Sequence, residues 1–222
     1  MEQVRVRPYR RAIYVLVMVG VLFMAASRGL YFFPTSVALG PCMLDWTSPS
    51  TYTGIWNSIA SPMRKVRFRT GDVEVQICYG QPAARDRTVF TPDSTRLSQK
   101  PVLIPDGRLW RMGANEPTRI FVNGPVLLGD LSLDAGRYSI YTIPGPETWE
   151  IFLSRSTFHW GNQITQRVRA REVGSFHAKV FSSSLFQERF RIYGQPRDDN
   201  VDRIVVAWAD REVYLPIQEL VE

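Results

Sequence analysis

From Lys65 onward the apolar residues of this chain fall at every second position in short runs, and that period restricts the domain to β-sheet. Val73, Val75, Ile77 and Tyr79 alternate with Glu74, Gln76 and Cys78, as in a strand with one buried face. The same period predicts strands at 119–122, 125–128, 137–143, 149–154, 164–172, 175–181, 188–193, 203–208 and 212–217. Asn123-Gly124 is a hairpin turn signal and Ala209-Asp210 a weaker one. Residues 91–100 read as a polar loop between strands. Short strands broken by turns predict an all-β domain, an antiparallel β-sandwich of jelly-roll or immunoglobulin-like type.

A segment of another kind precedes the β pattern. Arg5, Arg7, Arg10 and Arg11 run into the apolar block 12–27, AIYVLVMVGVLFMAAS. As a helix that block measures about 24 Å, short of a hydrocarbon core of roughly 30 Å; extension to Phe33 brings it to about 33 Å. Arg28 then lies near the outer end, where its side chain snorkels to the headgroups. Tyr9 and Tyr14 at one end, and Tyr31, Phe32 and Phe33 at the other, suit the two interfaces. The arginines ahead of the block place the N-terminus in the cytoplasm. We read one retained N-terminal transmembrane helix; a cleavable signal peptide ending at Ala25-Ala26-Ser27 is the competing reading.

The chain then divides into a basic cytoplasmic head (1–11), a transmembrane helix (12–33), a connector (34–63) and an extracytoplasmic β-domain (64–222). The expected location is the inner membrane, single-pass, with the domain in the periplasm. The connector holds Pro34, Pro41, Pro49 and Pro62 but also Trp46, Tyr52, Ile55 and Trp56. Large aromatics are foreign to a disordered tether, so Trp46, Tyr52 and Trp56 are expected to pack on the domain or on a partner.

Charge narrows the function classes. Half of the formal net charge of +6 sits in the head, leaving no concentrated basic footprint for nucleic acid. The expected partners are the bilayer and other membrane-protein subunits. The two cysteines, Cys42 and Cys78, can oxidise to a bridge outside the cytoplasm, worth about 3–4 kcal/mol in the chain-entropy picture; two reduced thiols are the alternative. His159 and His177 have no carboxylates at ligand-like spacing, so we expect no metal and no cofactor. Nucleophile-elbow, P-loop and dinucleotide motifs are missing from the sequence, and we assign no catalytic residue.

Asp134-x-Gly136-x-Tyr138 has the spacing of a tyrosine corner, a structural device. The densest unusual cluster is Trp110-Arg111-Met112-Gly113-Ala114-Asn115-Glu116. One reading is a small pocket, with Arg111 for an anion, Asn115 for hydrogen bonding, Glu116, and Trp110 as a stacking wall. The plainer reading is an internal network in which Glu116 pairs with Arg111 or Arg119 and Asn115 caps a turn. Arg167, Arg169 and Arg171 alternate with Val168 and Ala170, which puts three guanidinium groups on one strand face, either solvated or facing an acidic partner.

Taken with Ala135-Gly136-x-Tyr138-Ser139, Thr142-Ile143-Pro144 and Trp160-Gly161, the Trp110–Glu116 motif resembles an uncharacterised bacterial family, domain of unknown function 2911. The resemblance spans about Val73 to Ile217 and implies a secreted or anchored all-β domain; it implies no particular activity, since none is established for the family. Two departures stand out: Gln81 replaces an arginine before Pro82, and Asp86-Arg87 stands where Gly-Arg is usual.

The expected function is a non-catalytic, membrane-anchored accessory subunit whose periplasmic domain braces a larger membrane complex, such as a photosynthetic reaction-centre–antenna or respiratory assembly. The alternatives are a periplasmic binding module for a saccharide or small anion, adding Trp149 and Trp160 to the cluster, and an extracytoplasmic hydrolase pairing Glu116 with Asp130 or Asp134.

Overall fold

The structure is a computed structural model, and it describes residues 18–19, 61–90, 102–157, 159, 164–197 and 200–221. The domain is all-β. Its strands are β1 (Met63–Thr70), β2 (Val73–Gly80), β3 (Thr118–Val122), β4 (Val126–Leu128), β5 (Leu131–Leu133), β6 (Gly136–Ile143), β7 (Thr148–Ser154), β8 (Glu172–Arg197) and β9 (Asn200–Glu219), with one short helix α1 (Gln166–Arg169). They form a single antiparallel nine-stranded sheet in the order β1-β2-β3-β6-β7-β8-β9-β4-β5.

The two-sheet sandwich expected from the strand pattern is therefore replaced by one sheet that curls on itself. The cause is the length of β8 and β9. Four predicted strands, 175–181, 188–193, 203–208 and 212–217, are two halves each of these two long strands. Their bends carry the sheet round until its β1 edge meets the end of β9. Thr70 Oγ1 donates to the Ile217 carbonyl (3.5 Å), and the Asp72 amide donates to Glu219 Oε2 (2.9 Å).

In β9 the bend is a phase change. Ile204, Val206 and Trp208 join the core from even positions, then Val213, Leu215 and Ile217 join it from odd ones. Ala209 between them has φ +52°, and the β8–β9 register slips there. A bulge of this kind re-aims every later side chain. Ala209-Asp210 is thus a kink inside a strand, not a turn between two.

Two further expectations are corrected. Asn123-Gly124 does not close a hairpin, because β4 pairs with β9 and β5 rather than with β3. Asn123 instead ends β3 against β2, its Oδ1 accepting from the Glu74 amide at 2.7 Å. The predicted strand 164–172 is a turn of helix, α1, followed by the start of β8. Two-residue hairpins join β1 to β2 through Gly71-Asp72, with Gly71 at φ +58°, and β4 to β5 through Gly129-Asp130, with Gly129 at φ +63°.

Inside the curl lies one apolar core. Val75, Ile77, Ile120, Val122, Ile140 and Leu153 face Phe190, Ile192, Ile204 and Val206 across it. Burial of such side chains, about 1.5–3 kcal/mol each, holds the curl closed. A smaller apolar cluster, Tyr141, Phe152 and Val168, lies on the opposite face.

Among the described residues no helix is long and apolar enough to cross a membrane. Of the predicted span 12–33, the described residues are Met18 and Val19, which are helical and exposed. The remainder of that span, the connector aromatics Trp46, Tyr52 and Trp56, Cys42, and the loop 91–100 lie outside the described residues.

Candidate functional site

The Trp110–Glu116 motif is a loop bulging from a broken strand. Trp110 exchanges both backbone hydrogen bonds with Thr142 of β6 (2.8 Å each), and Thr118 pairs with Ile140 further along the same strand. The residues between are pinned from several sides. Thr118 Oγ1 donates to the Met112 carbonyl (2.6 Å), Trp110 Nε1 to that of Gly113 (3.1 Å), and Asn115 Nδ2 to that of Ser61 (3.3 Å). Met112 and Asn115 sit at φ +53° and +62°. The loop presses on the end of β2 so closely that a methyl group on Gly80 would come within 2.0 Å of the Ala114 carbonyl oxygen.

This loop divides the expected pocket between two faces of the sheet. Trp110 is 4% exposed and packs in the core among Phe90, Trp149, Phe190 and Trp208, stacking on Trp208 with ring centroids 5.7 Å apart. It is a core residue and offers no open wall. Trp149 shares that core, while Trp160 lies outside the described residues. Glu116 turns instead to Arg119, Nη1 to Oε2 at 2.8 Å, with side chains 2% and 5% exposed. Arg111 is half-buried, with Nε lacking a partner, and desolvation depresses its pKa.

Arg119 centres a polar row on the sheet face away from the main core. Cross-strand register places Cys78, Arg119, Ser139 and Ser154 side by side on β2, β3, β6 and β7. The backbone carbonyls of Thr157 and Val168 close on the row. Arg119 Nε donates to the Thr157 carbonyl (3.1 Å), and Ser154 Oγ donates to that of Val168 (2.9 Å). His159, two residues after Thr157, joins the row. Burial, then the nearby Arg119 charge, pushes its pKa down to about 4, so the imidazole is neutral at pH 7. Desolvation also depresses the Arg119 pKa, opposed by the Glu116 carboxylate.

Several polar atoms here are buried without a partner: Glu116 Oε1, Arg119 Nη2, Ser139 Oγ and both ring nitrogens of His159. Each such atom costs about 1–3 kcal/mol when left unmet. The donor set does not suit a metal, since among the described residues no three His, Cys, Asp or Glu side chains converge. Cys78, 1% exposed at the end of the row, is disulfide-bonded.

The other predicted residues are dispersed. Tyr138, fully buried, donates its hydroxyl to the Asp134 carbonyl (2.9 Å) across Gly136, the geometry of a tyrosine corner. Arg167 and Arg169 are on α1 and Arg171 in the turn after it, so the shared strand face does not exist. Arg169 pairs with Glu172 (3.0 Å) and lies over the Phe152 ring. His177 lines a groove of about 420 Å³ on the outside of β8–β9, with Lys179, Phe181, Arg203 and Tyr214. There Phe181 and Tyr214 stack at 4.6 Å. Nearby in sequence, Leu185 and Phe186 are 70% and 63% exposed where the β8–β9 register slips.

Sequence reasoning missed Ser139, His159 and the Leu185-Phe186 pair. The pair had a signal, two large apolar residues set among serines out of the strand period. Ser139 entered only as a letter of the family motif, because its place beside Arg119 is fixed by register and not by spacing.

A family model described as "Protein of unknown function (DUF2911)" matches residues 61–217. No curated protein and no solved structure matches the chain.

Proposed function

The chain belongs to the DUF2911 family of proteins of unknown function, and from that premise we propose that it is a membrane-tethered, non-catalytic accessory subunit. On this reading residues 12–33 hold it in the inner membrane. The curled sheet is then presented to a larger membrane assembly in the periplasm. The observation that carries the reading is the exposed Leu185-Phe186 pair. Contiguous large apolar side chains in water favour a protein partner. The groove with Lys179 and Arg203 shares the β8–β9 hairpin with the pair, and its cations sit over Phe181 and Tyr214. Asp202 also lines the groove and pairs with Arg203 (3.1 Å), so an apolar patch is the complement the exposed pair calls for.

The test is the native mass of the full chain extracted in mild detergent. It is expected to run within a larger assembly, and the double variant Leu185→Ser, Phe186→Ser is expected to run as a free protein with unchanged thermal stability. A wild-type chain that runs alone under the same conditions would overturn the reading.

A further inference from the structure

The groove on the outside of β8–β9 is open to water and carries a definite charge. The β8–β9 ladder ends at the pair Val180–Val213, and beyond it the strands are laddered to other neighbours, β8 to β7 and β9 to β4. Where they part, His177, Lys179 and Phe181 of β8 and Tyr214 and Pro216 of β9 line a space of about 420 Å³. His177 and Lys179 are exposed, and Phe181 is 38% exposed, so the space has an entrance. Asp202 and Arg203, from the start of β9, complete the lining. Arg203 spends Nε on Asp202 Oδ1 (3.1 Å) and lies over the Tyr214 ring, so these two charges cancel within the protein. The Tyr214 hydroxyl donates to Glu212, which stands outside the lining. Lys179 lies over the Phe181 ring and, among the described residues, has no counter-charge. The fixed charge left in the groove is therefore one ammonium.

We propose that this groove is a binding site for a small carboxylic acid, a monoanion with one ring or branched chain as its apolar body. The carboxylate accepts from Lys179 and balances its charge. His177, two residues along and on the same side of β8, offers a further ring nitrogen. The apolar body lies along Phe181 and Pro216, and the volume, near the lower end of the range for ligand pockets, suits a body of one ring. Asp202 sets the sign of the selection. It tolerates one negative charge only because Arg203 neutralises it, and a dianion would leave the site with a charge in excess. No bond is made or broken. The proposal stands independently of the accessory-subunit reading, because the register slip between Ser182 and Gln187 separates the groove from the Leu185-Phe186 pair.

The test is calorimetric titration of the full chain in detergent with phenylacetate, against 2-phenylethanol, 2-phenylethylamine and inorganic phosphate, with detergent alone as the blank. Saturable binding of phenylacetate is expected, with weaker binding of the alcohol and none of the amine. Lys179→Gln should weaken phenylacetate binding about tenfold, and Phe181→Ala about fivefold. Arg203→Gln should weaken it about fivefold, by leaving the Asp202 charge to repel the ligand. Lys179 and Phe181 are exposed, so both variants should keep the wild-type unfolding midpoint. The double variant Leu185→Ser, Phe186→Ser, which tests the partner reading, should leave the affinity unchanged. An alcohol or amine that binds as tightly as phenylacetate overturns the proposal, as does phenylacetate affinity unaltered in Lys179→Gln. Phosphate bound in preference to phenylacetate, or phenylacetate giving no saturable heat, also overturns it.

Discussion

The two faces of β3, β6 and β7 are built to opposite rules. On the inner face, Ile120, Tyr138, Ile140, Ile151 and Leu153 meet the aromatic cluster of Phe90, Trp110, Phe190 and Trp208. Its polar tips are mostly tied to backbone, as when Trp208 Nε1 donates to the Glu188 carbonyl (3.3 Å); Trp149 Nε1 is the exception. On the outer face, one residue away along the same strands, Arg119, Ser139 and Ser154 form a buried polar row with unmet atoms. Consecutive residues of a strand take opposite faces, so one backbone carries a packed core and a costly polar cluster together. The inner face accounts for the fold. The outer face carries unmet groups that stability alone does not explain.

Three substitution or titration experiments would sharpen that contrast. The largest effect is expected from Trp110→Ala, which empties the centre of the aromatic cluster and should cost about 3–5 kcal/mol in denaturant unfolding. Loss of less than 1 kcal/mol would mean that the inner face is not the main source of stability.

A comparable or slightly smaller loss, about 3 kcal/mol, is expected for Glu116→Ala, which strands the Arg119 charge. The double variant Glu116→Leu, Arg119→Met should recover most of it, because removing both charges also removes their desolvation cost. On the inner face no second substitution should rescue Trp110→Ala. A double variant as unstable as the single would make the pair a genuine structural tie.

The smallest effect is set by pH. His159 has its pKa lowered in the folded state to about 4, from 6.5. The unfolded chain therefore binds the proton first as pH falls, and stability is lost between pH 6.5 and about 4. The ring's partial exposure keeps that loss to about 1–3 kcal/mol. Unfolding midpoints at pH 7.5 and 4.5 should converge for His159→Gln relative to the wild type. An unchanged pH dependence in that variant would place the ring in water.

Several of these features were legible from residue order. The alternation at Val73–Tyr79 is β2, the Asp134-x-Gly136-x-Tyr138 spacing makes its hydrogen bond, and of the two arginines expected to pair with Glu116, Arg111 or Arg119, it is Arg119 that does. Each rests on contacts close in sequence. What failed needed distant information. Arg167-Val168-Arg169-Ala170-Arg171 alternates like a strand, but a four-residue helix with one buried side chain, Val168, fits the same letters. Trp110 reads as part of a polar motif, yet its pairing with Thr142 turns the ring into the core. The breaks at 182–187 and at Ala209 resemble strand ends, because nothing local tells a bulge from a turn.

The phase change at Ala209 also sets an arithmetic on chain length. Between Trp208 and Val213, one residue more or fewer would send Tyr214, Pro216 and Gln218 inward and turn Val213, Leu215 and Ile217 out to water. A change of two restores the original parity. At this kink the length of the chain is therefore held to even steps.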